Sequence, residues 1–344
     1  MAVTIKDIAK MADVSPSTVS RVVDENSRIS KKTSEKVKRV MQEMDYHPNM
    51  LARSLARKDT KIIGTLMPGT EENAFKHPFF PEILRGVTSE AYKSGYNILI
   101  SSAATPSDEK KIVLDFAKNG VAEGQILMTS RHNDTVIKAL TEISFPFVLV
   151  GNPENSSNVT WVDNDNIEAG RKLTEHFISR GCRKIAFIGL TDEYLVVKDR
   201  FEGYRKALGE SGIEFDKGLV VKGAFMRSNG GNMMSELLSR KKDFSGIVAA
   251  DDDMAFDAIK VLKKAGIRVP QDVLVAGFNN TKMDDYFTPM LTSIDINAFE
   301  LGRKAFQLIR AKIENKDYKP THELVGINIV PRESTSRNFK GSTE

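Results

Sequence analysis

The stretch IKDIAKMADVSPSTVSRVVD (5–24) carries two apolar stripes at helical spacing around a short turn, the pattern of a helix-turn-helix. Ile5, Ile8, Ala9 and Ala12 give a first helix one face to bury. Asp13 and Val14 make the turn, Ser15 suits an N-cap, and Pro16 suits the first helical position, where a missing N–H costs nothing. Val19, Val22 and Val23 form the inner face of the second helix and leave Ser17, Thr18, Ser20 and Arg21 outward. Short hydroxyls and one guanidinium fork are suited to base edges and phosphates in a major groove. A third helix follows, with Val37, Val40, Met41 and Met44 on one stripe and Lys31, Lys32, Lys36, Lys38 and Arg39 elsewhere. Pattern alone leaves open a small helical cap with an ordinary solvated face, but double-stranded DNA is the first partner to test.

Charge is distributed in the same sense. Residues 1–61 hold 13 Lys or Arg against 8 Asp or Glu, while the rest of the 344-residue chain holds 37 against 38. A basic head on a nearly neutral body is the footprint of a nucleic-acid reader joined to something else. The single cysteine, Cys182, excludes an intramolecular disulfide and a multi-cysteine metal site, and is expected to be buried and inert. No N-terminal leader pattern and no long apolar run occurs, so the expectation is a cytoplasmic protein with no membrane partner.

From residue 61 onward short apolar runs alternate with amphipathic stretches. The runs include 62–67, 96–101, 124–128, 145–150, 184–189, 246–250 and 273–278, and helical patterns include 82–94, 108–119, 167–180, 201–211 and 253–265. Such alternation predicts parallel sheets covered on both faces, which place a ligand beyond the carboxyl ends of the strands. Polar residues at those ends are Asn152, Asp163, Arg200, Asp251, Asp252, Asn279 and Asn280, with Phe79, Phe80 and Phe225 as aromatic walls. A sugar fits this mixture, because hydroxyls both donate and accept while the ring's C–H faces pack on aromatics. Asp251, Asp252 and Asp253 invite a metal reading, but consecutive residues at a helix start diverge, and helix capping is the better account. No metal site and no cofactor is expected. Neither GxGxxG, a Walker A sequence nor HExxH occurs and the five histidines are scattered, so an enzyme, such as a sugar-processing one, is disfavoured.

TIKDIAKMADVSPSTVSRVVD (4–24), then YHPNMLARSLARKDTKIIG (46–64), resembles the LacI/GalR family of bacterial transcription repressors across nearly the whole chain. The resemblance implies a helix-turn-helix head over 1–48, a hinge helix and linker over 49–61, and a two-lobed parallel α/β core over 62–340, like a periplasmic sugar-binding protein. Lobe one would take 62–161 and 292–322; lobe two would take 162–291 and 323–340. It assigns DNA contacts to Thr4, Ser15, Ser17, Thr18, Ser20, Arg21, Asn26, Lys31, Lys32, Thr33 and Tyr46. In the hinge it adds Asn49, Ala52, Arg53, Leu55 and Ala56, with Leu55 as a wedge between base pairs. Arg200, within DRFEGYR, matches the family's ligand-binding arginine, and Asn279 in GFNN stands where most relatives have an acid.

HPFFPEILRGV (77–87) and its surroundings look most like regulators of maltose or maltodextrin operons. The expected partners are operator DNA, a small sugar and a second copy of the chain, since two-fold operators need paired heads. A catabolite-control regulator, bound by a phosphorylated carrier protein as co-repressor, is the alternative. The tail PRESTSRNFKGSTE (331–344) lacks a leucine heptad, so no tetramer through a C-terminal coiled coil is expected.

Overall fold

The computed structural model describes residues 3–23, 28–46, 60–155, 158–223, 230–315 and 317–336, with the side chains of 71–73 excepted. The chain divides into two compact units, 1–60 and 61–344.

The first unit contains α1 (Ile5–Met11), α2 (Pro16–Val23) and α3 (Lys31–Glu43). The Asp7 carboxylate accepts from the Thr4 backbone N–H at 2.9 Å and from its hydroxyl at 2.6 Å, which fastens the start of α1. Asp13 closes the turn with a positive φ of 50°, a conformation that short polar side chains tolerate. Ser15 Oγ then accepts from Thr18 N at 3.1 Å, and Ser30 Oγ accepts from Thr33 N at 3.2 Å. Ile8, Ala9, Ala12, Val19, Val22, Val37 and Val40 form the buried core, the stripes the spacing predicts.

The second unit is built on two six-stranded sheets. The first uses β1 (Ile62–Pro68), β2 (Asn97–Ala103), β3 (Gly124–Leu127), β4 (Phe147–Val150), β5 (Trp161–Asp163) and β11 (His322–Leu324), in the order β11-β5-β4-β3-β1-β2. The second uses β6 (Ile185–Leu190), β7 (Val220–Lys222), β8 (Gly246–Ala249), β9 (Leu274–Phe278), β10 (Thr292–Asp295) and β12 (Asn328–Val330), in the order β12-β10-β9-β8-β6-β7. All pairings are parallel except β10 with β12. Side chains alternate across each strand: Ile63 and Met67 enter one core while Leu66 enters the other, so both faces of β1 are buried and its sequence reads as one apolar run.

The sheets also correct the lobe boundaries. Val162 and Asp163 remain in the first sheet, Thr292–Asp295 belongs to the second, and Glu323 and Leu324 pair back in the first. The three crossings therefore fall after Asp163, Asp295 and Leu324, a few residues later than the resemblance implies. These strand ends are polar and short, so their membership is set by pairing partners rather than by local hydrophobicity.

Candidate functional site

In the head, Ser15, Ser17, Arg21, Lys31 and Lys32 are exposed, Thr4 is exposed beside them in sequence, and Thr18, Ser20 and Thr33 are half-buried. Ser15 Oγ lies 2.7 Å from Ser17 Oγ and 2.9 Å from Thr18 Oγ1, so these hydroxyls form one cluster at the start of α2. Tyr46 is half-buried, its ring packed against the head core. Asn26 and the hinge positions Asn49, Ala52, Arg53, Leu55 and Ala56 lie outside the described residues, as does Phe225.

In the second unit, a cleft between the lobes has about 510 Å³ of space not filled by atoms, counted out to its mouth. Its walls come from the carboxyl ends of strands in both sheets. Lobe one supplies His77, Phe79, Met128, Thr129, Ser130, Val150, Gly151 and Asp163; lobe two supplies Val196, Arg200 and Asn279.

Arg200 projects from α9 (Leu195–Glu210) and is almost wholly buried. Its Nη1 donates to the Ala250 carbonyl at 2.8 Å, its Nε donates to Asn166 Oδ1 at 3.2 Å, and its guanidinium lies 4.4 Å from the centre of the Phe278 ring. These contacts fix the fork's plane where Arg200 lines the cleft. Burial pushes the Arg200 pKa down to about 10, against the charges of Asp251, Asp163, Asp252 and Asp199, so the group stays cationic at neutral pH.

Asp163 ends β5 and accepts from three donors: Asn152 N at 2.8 Å, Asn164 N at 2.7 Å and Asn166 Nδ2 at 3.1 Å. Burial raises its pKa to about 6, although the Asn164 and Asn152 amides and the Arg200 charge favour the carboxylate. Asn279 holds a positive φ of 113° and half-exposes its side chain to the cleft. An amide there can both donate and accept.

Phe79, Asp163, Arg200 and Asn279 are thus brought together. Asp251 sits just behind them. Its Oδ1 accepts from Met254 N at 2.7 Å, capping α11 (Asp252–Lys264) as the sequence suggests, and its Oδ2 lies 3.5 Å from His77 Nε2. Asn152 reaches the site through its backbone: its carbonyl accepts from Ser130 Oγ at 2.7 Å while its side chain is exposed.

Three expectations are corrected. Phe80 is fully buried in the lobe-one core, its ring edge-on to Phe79 at 5.2 Å, because successive residues of α5 (Phe79–Lys93) point about 100° apart. Asp252 is also fully buried; it accepts from Ser293 Oγ at 2.7 Å and from Thr281 N at 3.4 Å, turned from the cleft because it opens the helix while Asp251, the N-cap, keeps an extended backbone. Asn280 likewise serves the fold, its Oδ1 accepting from Arg332 Nη2 at 2.8 Å.

Sequence reasoning missed His77, Met128, Thr129, Ser130, Val150, Gly151 and Val196. Of these, His77 had a visible signal: it opens HPFF, directly before the two aromatics read as cleft walls.

The lobes meet at one rim of the cleft through an antiparallel bridge between Arg131 and Tyr194. His132 N donates to the Glu193 carbonyl at 3.0 Å and Leu195 N donates to the Ser130 carbonyl at 3.3 Å. Arg131, bidentate on Glu109 at 2.5 and 3.0 Å, lies 3.6 Å from Glu193 across that bridge. The cleft is therefore closed along this edge. Among the described residues, no helix is long and apolar enough to cross a membrane.

Residues 4–49 match the family described as bacterial regulatory proteins, lacI family, and residues 174–335 match the periplasmic binding protein-like domain. The HTH-type transcriptional regulator MalR of Streptococcus pneumoniae is 34% identical over 336 residues, covering 96% of this chain and 100% of that one. A solved complex of the transcriptional regulator CelR with cellobiose has a TM-score of 0.77 at 29% identity, covering 96% of this chain and 99% of that one. The lac repressor dimer bound to operator and the anti-inducer ONPF shares the fold, with a TM-score of 0.85 at 23% identity over 97% of this chain and 99% of that one. With a helical reading head joined to a two-lobed, cleft-bearing core, the chain belongs to the lacI family of bacterial regulatory proteins.

Proposed function

We propose that this protein is a sugar-responsive transcriptional repressor: the head reads operator DNA, and a neutral sugar of the maltose or maltodextrin class, held in the cleft, sets operator affinity. The observation that carries the reading is the cleft itself. A buried, pre-oriented Arg200 fork stands with Asp163, Asn279 and Ser130 among the apolar walls of Phe79, Met128, Val150 and Val196. Polar groups converging from two lobes onto an apolar slot suit a polyhydroxyl ring, and both lobes must close on it. A similar solved structure described as a probable maltose operon transcriptional repressor supports the maltose class, and the cellobiose held by CelR supports a glucose disaccharide more broadly.

The protein acts as a homodimer in the cytoplasm, without enzymatic turnover of the sugar. Its dimer face runs along the edge strand β2 and the apolar side chains left exposed near it and on the second lobe, Tyr92, Ile100, Met283 and Tyr286.

The test is operator binding over titrations of maltose, maltotriose and cellobiose, with calorimetry on the protein alone. We expect at least one sugar to shift operator affinity in the wild type. Arg200→Ala is expected to keep operator binding but lose about 1.5–3 kcal/mol of sugar affinity, roughly ten- to more than a hundredfold. A variant that responds like the wild type would move the effector site elsewhere. Response only to a phosphorylated carrier protein would replace the reading with the co-repressor one.

A further inference from the structure

The only histidine in the cleft wall, among the described residues, is placed where the two lobes touch. His77 lies between α4 (Glu71–Lys76) and α5 in lobe one, and Asp251 follows β8 in lobe two. Both are more than nine-tenths buried, and His77 Nε2 stands 3.5 Å from Asp251 Oδ2. That spacing is an ion-pair distance, longer than a good N–H···O hydrogen bond. Phe79 and Phe80 hold the imidazole from its own lobe, with ring centres 6.3 and 5.5 Å away. Asp251 is in turn fixed by capping α11, so neither partner reaches the other by chance of a mobile surface side chain.

We propose that His77 is a positioning residue of the effector site: its imidazolium pairs with Asp251 across the cleft when the lobes close, so sugar affinity falls as pH rises through the imidazole's range. This inference rests on the cleft being the sugar site.

The charged groups around His77 decide the sign. Burial disfavours the imidazolium and Arg200, on α9, opposes it, but the adjacent Asp251 carboxylate and the charge of Asp253 outweigh both, and the pKa of His77 in the closed cleft is raised. Separation of the lobes removes Asp251 and returns the ring toward its ordinary value. The link is therefore fully present below that ordinary value and is lost as pH climbs through the raised one. Asp253, its pKa pushed up to about 6 by burial and by Asp251, and Asp163, also at about 6, titrate in a neighbouring window. Their ionisation at higher pH adds negative charge near His77 and Arg200, so their effect must be separated from that of the imidazole.

Two measurements on the full chain do so. Proton NMR titration of the imidazole, assigned by its loss in His77→Gln and run with and without maltose or cellobiose, is expected to place wild-type His77 above an ordinary histidine, further so with sugar bound, and to bring it down in Asp251→Asn, which keeps a capping oxygen for α11. Calorimetry with maltose and cellobiose from pH 6 to pH 8 is expected to show wild-type affinity falling about three- to tenfold, a fall lost in both variants.

A wild-type imidazole that titrates at or below the ordinary value, or that ignores Asp251→Asn, overturns the link whatever the sugar does. A pH profile retained in His77→Gln belongs to Asp163 or Asp253 and overturns the role in binding. If neither sugar binds while the imidazole titrates as expected, the cross-cleft pair stands and the sugar reading of the cleft falls.

Discussion

A single buried amide gathers the three crossings between the lobes. Asn164 Nδ2 donates to the Ile296 carbonyl at 3.0 Å and to the Val325 carbonyl at 2.9 Å, and Val325 N returns a bond to the Asp163 carbonyl at 2.8 Å. Residues far apart in sequence are thereby held at one pivot, next to the carboxylate that lines the cleft. Asn164→Ala would strand two carbonyls where water has little access, at a cost of roughly 1–3 kcal/mol. We expect the variant to melt several degrees lower by calorimetry and amide exchange at 163–165, 296–297 and 325–327 to accelerate more than in the strands. Unaltered melting together with unaltered exchange would mean the crossings are held by packing alone.

Each lobe contains one helix pair packed through reciprocal glycines. In lobe two, a Cβ on Gly203 of α9 would sit 1.9 Å from the Ile167 carbonyl of α8 (Asn166–Ser179), and one on Gly170 of α8 would sit 2.0 Å from the Arg200 carbonyl. In lobe one, a Cβ on Gly86 of α5 would sit 2.1 Å from the Phe299 carbonyl of α12 (Ala298–Glu314), and one on Gly302 of α12 would sit 2.1 Å from the Ile83 carbonyl. Backbone cannot yield as a flexible side chain does, so a methyl at these points must part the helices. Gly203→Ala should cost about 1–3 kcal/mol or more and, because Arg200 rides on the same helix, weaken sugar binding as well. Gly209→Ala is the control on that helix: nothing lies within 4 Å of its Cβ position, and the gain in helix propensity should leave stability equal or higher. Matching melting curves for the two variants would refute the close-packing account.

Across the whole molecule, a regulator requires its two functions to be coupled. If sugar alters operator affinity by some factor, operator must alter sugar affinity by the same factor, because both are legs of one thermodynamic cycle. Calorimetric sugar titrations with and without saturating operator, compared with operator titrations with and without sugar, should give matching ratios within error. Unequal ratios would point to a second sugar site or a change of oligomeric state.

The local sequence determined the head almost completely. Its helices start at Pro16 and Lys31 behind Ser15 and Ser30 because capping and apolar spacing are short-range properties of consecutive residues. The strand–helix alternation was equally legible, since strands buried on both faces read as continuous apolar runs. The cleft was legible only in part. Asp163 and Asn279 sit at strand ends that the pattern marks, and Arg200 is marked by the DRFEGYR resemblance although it rides on a helix, whereas Phe79 and Phe80 are adjacent in sequence and identical in chemistry yet only Phe79 lines the cleft. Helix phase separates them, and phase is set by what each helix packs against. His77 could not be paired with Asp251, nor Asn164 with Ile296 and Val325, from composition or spacing, because the first pair lies 174 positions apart (251 − 77) and the second spans both lobes. Backbone propensity and hydrophobic period act over a few residues; contacts across the cleft exist only after two sheets have formed and met.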